Sequence, residues 1–180
     1  MNASHTAPPA TSVQKFDPDF RGEQPEPVLL ATIQRLENET RALRFSRFGQ
    51  EDAIALGLLL VNLGISRALP IAINIRREQH ILFHASLPGA TPDNETWIER
   101  KSRTALRYCE PSLLVGLRGR VGGGRLEDNG WFDEKLFASH GGAFPIHVRG
   151  TGVVAAVTVS GLPQQADHDL VAEALRSVVN

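Results

Sequence analysis

The chain has 180 residues, 42% of them hydrophobic and 22% charged, an ordinary globular composition that excludes a fibrous or low-complexity protein and allows one domain with its own core. A formal net charge of −1 offers no overall attraction to nucleic acid or anionic lipid, so neither is expected as a partner. Its single cysteine, Cys109, excludes an internal disulfide and a cysteine-built zinc cluster and fits a reducing compartment.

Residues 1–27 read as a disordered arm, with Pro8, Pro9, Pro18, Pro25 and Pro27 among Ser, Thr, Asp and Glu. They carry too few apolar groups to offset the entropy of ordering them. The arm lacks the basic start and apolar run of a secretory signal. No later stretch has the roughly 20 apolar residues that cross a bilayer, so a cytoplasmic protein is expected, with one domain over 28–180.

From Val28, Leu29, Leu30, Ile33 and Leu36 recur at helical spacing. Leu43 to Phe48 reads as a strand leading into a second helix, which opens at Gly49 with Glu51 and Asp52 at the positive end of its dipole and closes near Gly64. That helix is apolar nearly all round, which calls for cover on two sides or a subunit interface. Pro70 to Arg76 alternates Ile71, Ile73 and Ile75 with Ala72, Asn74 and Arg76, the pattern of a half-buried strand. After a turn at Arg77–Gln79, its hairpin partner directs Ile81, Phe83 and Ala85 one way and His80, Leu82 and His84 the other.

Thr91 or Asp93 can cap a third helix from about Asn94 to Cys109, with Pro92 tolerated at its start. Ser112 to Leu117 supports a short helix or a strand, and Gly119 to Gly130 a loop. A short helix is expected at Asp133 to Ser139, then strands Phe144 to Val148 and Val153 to Ser160, and a last helix from about Ala166 to Val179. This order makes a mainly antiparallel sheet with helices on its faces, an α/β (α+β) domain.

Four stretches carry a family likeness: Glu51-Asp-Ala53 leading to Leu56-Gly57; Asp93-Asn94 with Trp97 and Arg100-Lys101; His140-Gly-Gly-Ala-Phe-Pro-Ile146; and Ser160-Gly-Leu-Pro-Gln164 with Asp167-His168. In this order and spacing they resemble the GlcG/HbpS-like group of haem-degrading-domain proteins over about Val28 to Asn180. The resemblance implies a profilin-like three-layer α/β/α sandwich with a five-stranded antiparallel sheet. It also implies a homo-oligomer and, as in some members, haem as a possible cofactor.

The motif residues Asn94, Trp97, Arg100, Lys101, His140, Gly141, Gly142, Phe144, Ser160, Asp167 and His168 are the expected ligand-binding set. Arg100, Arg103 and Arg107 form a basic stripe that suits a small anionic ligand, or else a solvated face with Trp97 in the core. Gly141 and Gly142 can bring backbone amides close to an anion or make a tight turn. His140 can be a base, a haem or metal ligand, or a hydrogen-bonded structural residue. Axial haem ligands would come from His84, His140, Tyr108 or Cys109, although Cys109 is as well explained as a buried hydrophobe.

Ser160 with Asp167-His168-Asp169 brings a Ser, a His and an Asp into one short window, as a hydrolase triad would need, but no Gly-x-Ser-x-Gly elbow accompanies them and an Asp at the start of a helix is as well explained by its dipole. His140, His147 and His168 lack regular zinc-ligand spacing, so no metal is expected. The leading expectation is an oligomeric small-molecule-binding protein. A scaffold acting through its own assembly and a haem-degrading enzyme are the alternatives.

Overall fold

The structure, a computed structural model, describes residues 25–179. The arm expected over residues 1–27 therefore lies outside the described residues up to residue 24, and regular structure starts at Glu26. Among the described residues five α-helices and five strands follow: α1 (Glu26–Ala42), β1 (Arg44–Phe45), α2 (Gln50–Ser66), β2 (Ala72–Arg77), β3 (His80–Ser86), α3 (Pro92–Tyr108), α4 (Ser112–Gly119), β4 (Ala143–Val148), β5 (Gly152–Ser160) and α5 (Gln164–Val178).

The strands form one sheet in the order β1-β4-β5-β2-β3. Three of its four pairings are antiparallel, as expected, but β1 runs parallel to β4 through Arg44–His147 and Phe45–Val148. The sheet is therefore mixed, not purely antiparallel. The reason lies in the connection: β1 reaches its neighbour only after α2, the β2–β3 hairpin and α3 have intervened, and a crossover of that length permits parallel pairing.

Sheet alternation divides the interior. Ile73 and Ile75 of β2, Phe144 and Ile146 of β4, and Val157 and Val159 of β5 join Leu56 and Leu60 of α2 and Leu170, Val171 and Leu175 of α5 in the main core. The opposite face is small and polar, with Ala72, Asn74, Ala143, Ala156 and Thr158, and α3 covers it. A separate seam of Leu29, Ile33 and Leu36 with Leu113, Leu114 and Leu117 ties α1 to α4. Each such side chain contributes roughly 1.5–3 kcal/mol on full burial. That pairing settles residues 112–119 as a helix.

Two local expectations are corrected. Residues 133–139 form turns, not a helix, because the amides of Leu136 and Phe137 both bond to the Asp133 carbonyl and no second turn follows. In β3, Phe83 pairs with Ile75 but Ile81 with Arg76, so an extra residue at Leu82 breaks the alternation. Ile81 therefore lies on the Arg76 face, opposite Phe83. Among the described residues, no helix is long and apolar enough to cross a membrane.

Candidate functional site

Helix α3 begins with a cap that fixes its first turn. The Asn94 side-chain oxygen accepts the Thr91 amide at 2.7 Å, so Asn94 is buried as a capping residue. Its inner stripe, Asn94, Ile98, Lys101, Ser102 and Ala105, follows helical periodicity. Ala105 packs against Ala143 and Ala156, and these small side chains bring the helix close to the sheet. The Ser102 hydroxyl donates to the Ile98 carbonyl at 2.7 Å, so the 2.8 Å bond between Ser102 and Thr158 must be donated by Thr158.

Lys101 is the charged member of that stripe and is buried to 3% exposure, as is its partner Asp167. Its ammonium donates to the carbonyls of Val159 at 2.7 Å and Gly141 at 2.9 Å and to Asp167 Oδ2 at 3.0 Å. The other Asp167 oxygen accepts the Leu162 amide at 3.0 Å. Burial pushes the Asp167 carboxyl up to about 6, against the lowering pull of Lys101 and the backbone amides. One lysine thus joins α3, the turn before β4, the end of β5 and the start of α5.

The glycines of that turn serve this joint. Gly142 sits at φ 116°, and a Cβ there would lie 2.6 Å from the Lys101 ammonium and collide with the Val159 carbonyl. A Cβ on Gly141 would strike the Gln164 carbonyl. Both positions require glycine for close approach, and Gly142 also for its backbone conformation.

Outside the joint lies a partly exposed rim. The edge of Trp97 meets His140 with ring centroids 4.8 Å apart, and the Arg100 guanidinium lies 4.7 Å from the Trp97 ring centre. Trp97 Nε1 donates to Asp93 at 3.0 Å. His140 is partly exposed while its Nδ1 is buried. The basic stripe is partly neutralised, since Arg103 bonds to Glu99 at 2.8 Å, whereas Arg107 lies over the Phe137 ring.

The expected set is thus divided. Trp97, Arg100 and His140 share the rim, and Lys101, Gly141, Gly142 and Asp167 form the joint beneath it. Ser160 ends β5 on the same sheet face and is buried. Phe144 and His168 lie on the other face, packed on each other with ring centroids 5.7 Å apart. His168 Nε2 meets Glu39 at 2.8 Å, which places its hydrogen on that nitrogen. Its Nδ1 is buried and has no hydrogen-bond partner among the described residues. Burial raises the Glu39 carboxyl, but hydrogen bonds and charge from His168 and Arg176 prevail and hold it below its ordinary value.

The remaining haem-ligand candidates stand apart from this rim. His84, on the hairpin, bonds to Asn74 of β2 at 3.3 Å and to Glu95 of α3 at 3.3 Å. Cys109 is exposed, not buried, because it closes α3 in the left-handed conformation at φ 55°, and its carbonyl meets His147 Nε2 at 3.0 Å. Among the described residues no group of three or more His, Cys, Asp or Glu side chains is placed to hold a metal. Two clefts stand out on the surface. One of about 120 Å³ is lined by Phe45, Arg47, Asp52 and Val178, and one of about 410 Å³ by Pro27, Val28, Ala31 and Arg35. Neither borders Trp97 or His140.

Residues 48–176, which contain both rim and joint, match the family model described as "Haem degrading protein HbpS-like". The chain belongs to the HbpS-like family. It is 51% identical to a UPF0303 protein of Streptomyces coelicolor over 148 residues, 82% of this chain and 94% of that one. The solved Ybr137w protein is 32% identical with a TM-score of 0.73, over 81% of this chain and 86% of that chain. The solved PduOC:Heme complex has a TM-score of 0.63 at 15% identity, over 73% of this chain and 94% of that chain, a likeness of fold alone. The HbpS-like match begins at Phe48, so the clamp of Glu39 on His168 comes from outside the matched segment.

The joint and the clamp are what the motifs did not disclose. A lysine on the same helical stripe as Asn94, Ile98 and Ala105 was the available signal for the joint. Glu39 gave none, because its partners lie more than a hundred residues away.

Proposed function

We propose that this HbpS-like protein binds a planar organic anion, haem or a molecule of the same chemistry, on the rim formed by Trp97, Arg100 and His140. The observation that carries the reading is their juxtaposition around one indole: the Trp97 ring centre lies 4.8 Å from that of the His140 imidazole and 4.7 Å from the Arg100 guanidinium. An indole face supplies apolar stacking area, the guanidinium can grip a carboxylate through two parallel bonds, and the imidazole can ligate iron. The family description and the haem-bound neighbour support haem as the first ligand to try.

The donor types fit haem, since His140 would ligate the iron and Arg100 a propionate, with Arg103 next along the helix. The two surface clefts do not adjoin these residues, so this reading is of an open platform and not an enclosing crevice. The joint beneath supports the reading, because Lys101 holds the carbonyl of Gly141, the residue after His140, and so limits how far the imidazole can move from Trp97.

Titration with haemin and with iron-free protoporphyrin, in a Cys109→Ser background that removes the exposed thiol, tests the proposal. Saturable binding of both is expected. Arg100→Ala should weaken both by about tenfold, the value of one charge-assisted contact. His140→Ala should abolish only the haemin-specific shift of the Soret band. No saturation, or binding indifferent to both substitutions, would overturn the reading.

A further inference from the structure

Beside the other flank of α3, away from Trp97 and Arg100, a chain of hydrogen bonds runs from a cation to an anion. Asn74 of β2, 1% exposed, accepts the Nε hydrogen of Arg76 on its side-chain oxygen at 2.9 Å. Its Nδ2 meets His84 Nδ1 at 3.3 Å, and His84 Nε2 meets Glu95 at 3.3 Å. The Ser86 hydroxyl donates to the same Glu95 oxygen at 3.0 Å. A guanidinium has no acceptor, so Arg76 dictates the direction of every link. Asn74 must turn its oxygen to Arg76 and its amide nitrogen to His84, which then carries its hydrogen on Nε2 and donates it to Glu95.

The chain fixes how Arg76 presents itself. With Nε committed to Asn74, the end-on edge formed by Nη1 and Nη2 is left, and among the described residues neither nitrogen has a hydrogen-bond partner. Arg67, Arg103, Arg118 and Arg176 each meet a carboxylate, whereas half-buried Arg76 meets a neutral amide. A partly desolvated guanidinium without a counter-charge is unfavourable, and burying an amide to hold it adds a desolvation cost of its own. Both costs are offset when the open edge takes an anion.

The surroundings select the anion. Across the sheet Arg76 pairs with Ile81 on one side and Ala156 on the other. Ile81 is 49% exposed, and Ala156 is buried in the small cluster on which Leu106 of α3 packs. At 100° per residue, Leu106 and Glu95 are roughly 20° apart around α3 and at least about 120° from Trp97 and Arg100. We infer that Arg76 anchors a binding site for a small monocarboxylate with a short apolar body. Nη1 and Nη2 grip the carboxylate through two parallel bonds, and the hydrocarbon lies along Ile81 and Leu106. The charges of Arg76 and Glu95 cancel across the chain, so a phosphate dianion would leave twice the net negative charge that a carboxylate leaves, and it would gain nothing from the apolar strip. The site shares no residue with the Trp97 rim, so the two readings stand or fall separately.

NMR titration of the isotopically labelled full chain with isobutyrate, and with inorganic phosphate at equal ionic strength, tests the site. Isobutyrate should produce saturable shifts of the Arg76 Nε–Hε resonance and of the Ile81 and Ala156 amides in the millimolar range, and phosphate should bind at least about tenfold more weakly. Arg76→Lys keeps the charge but loses the fork and should weaken isobutyrate binding about tenfold. Ile81→Glu, at a half-exposed position, sets a carboxylate of the chain itself across from Arg76. It should weaken isobutyrate binding as much by occupying the fork, without lowering the temperature of thermal unfolding. Shifts that do not saturate, shifts centred on the Trp97 indole instead, or phosphate bound as tightly as isobutyrate would overturn the inference. So would isobutyrate binding that survives both Arg76→Lys and Ile81→Glu.

Discussion

Replacing Lys101 by methionine isolates the energetics of the buried joint. The substitution keeps most of the length of the side chain but removes three hydrogen bonds, to Gly141, Val159 and Asp167. Asp167 is left with backbone amides and no counter-charge. Breaking a buried ion pair by removing one partner costs about 3–5 kcal/mol, a large share of the roughly 5–15 kcal/mol that a domain has in total. For a domain of this size the fall in Tm is about 6–20 °C, since each kcal/mol shifts it roughly 2–4 °C.

The effect has a pH signature. The folded carboxyl titrates near 6 against an ordinary 3.8, so between those values the folded chain holds a proton that the unfolded chain has released. Stability from this group therefore declines as pH rises through that window and is level above it. Without Lys101 the folded carboxyl rises further. The deficit of Lys101→Met against the wild type should thus be smaller at pH 5 than at pH 8. Urea unfolding followed by circular dichroism at both pH values measures it. A loss below about 1 kcal/mol, or an equal loss at both pH values, would refute the account.

Other outcomes follow from the same contacts. Glu39→Gln should lower Tm at neutral pH and flatten the acid limb of the stability curve. The folded carboxyl lies below its ordinary value, so its contribution is present above about pH 4.5 and is lost as pH falls through the folded value. Gly142→Ala should cost several kcal/mol, on the order of strain plus overpacking combined, and chemical denaturation of the soluble fraction would show it. Gly57→Ala drives a methyl into the Phe83 ring and should cost about 1–3 kcal/mol. A double-mutant cycle with Phe83→Ala should then show strong non-additivity.

The parts of the fold that were legible are those whose partners are close in sequence. The alternating isoleucines at 71, 73 and 75 and the turn at 77–79 specify the β2–β3 hairpin, and the Thr91–Asn94 cap marks the start of α3. The parallel placement of β1 was not legible, because Arg44 and Phe45 pair with residues about a hundred positions later. The bulge at Leu82 leaves the composition of β3 unchanged, so periodicity could not register it. At the candidate site, the motifs identified residues that do gather around Lys101. Their division into rim, joint and opposite face depends on which side of β4 and β5 each side chain takes. Phe144 and Ala143 are adjacent in sequence yet belong to different layers.

The penultimate element, β5, occupies the middle of the sheet, flanked by β4 on one side and β2 on the other. A ribosome must therefore deliver most of the polypeptide before the sheet can close. Until then the β2–β3 ribbon waits with an unpaired inner edge, and α3 has little to lie upon. Such non-local assembly is intrinsically slow and exposes strand edges to other chains. Loss of the last thirty or so residues would therefore leave an aggregation-prone half-sheet instead of a smaller working domain.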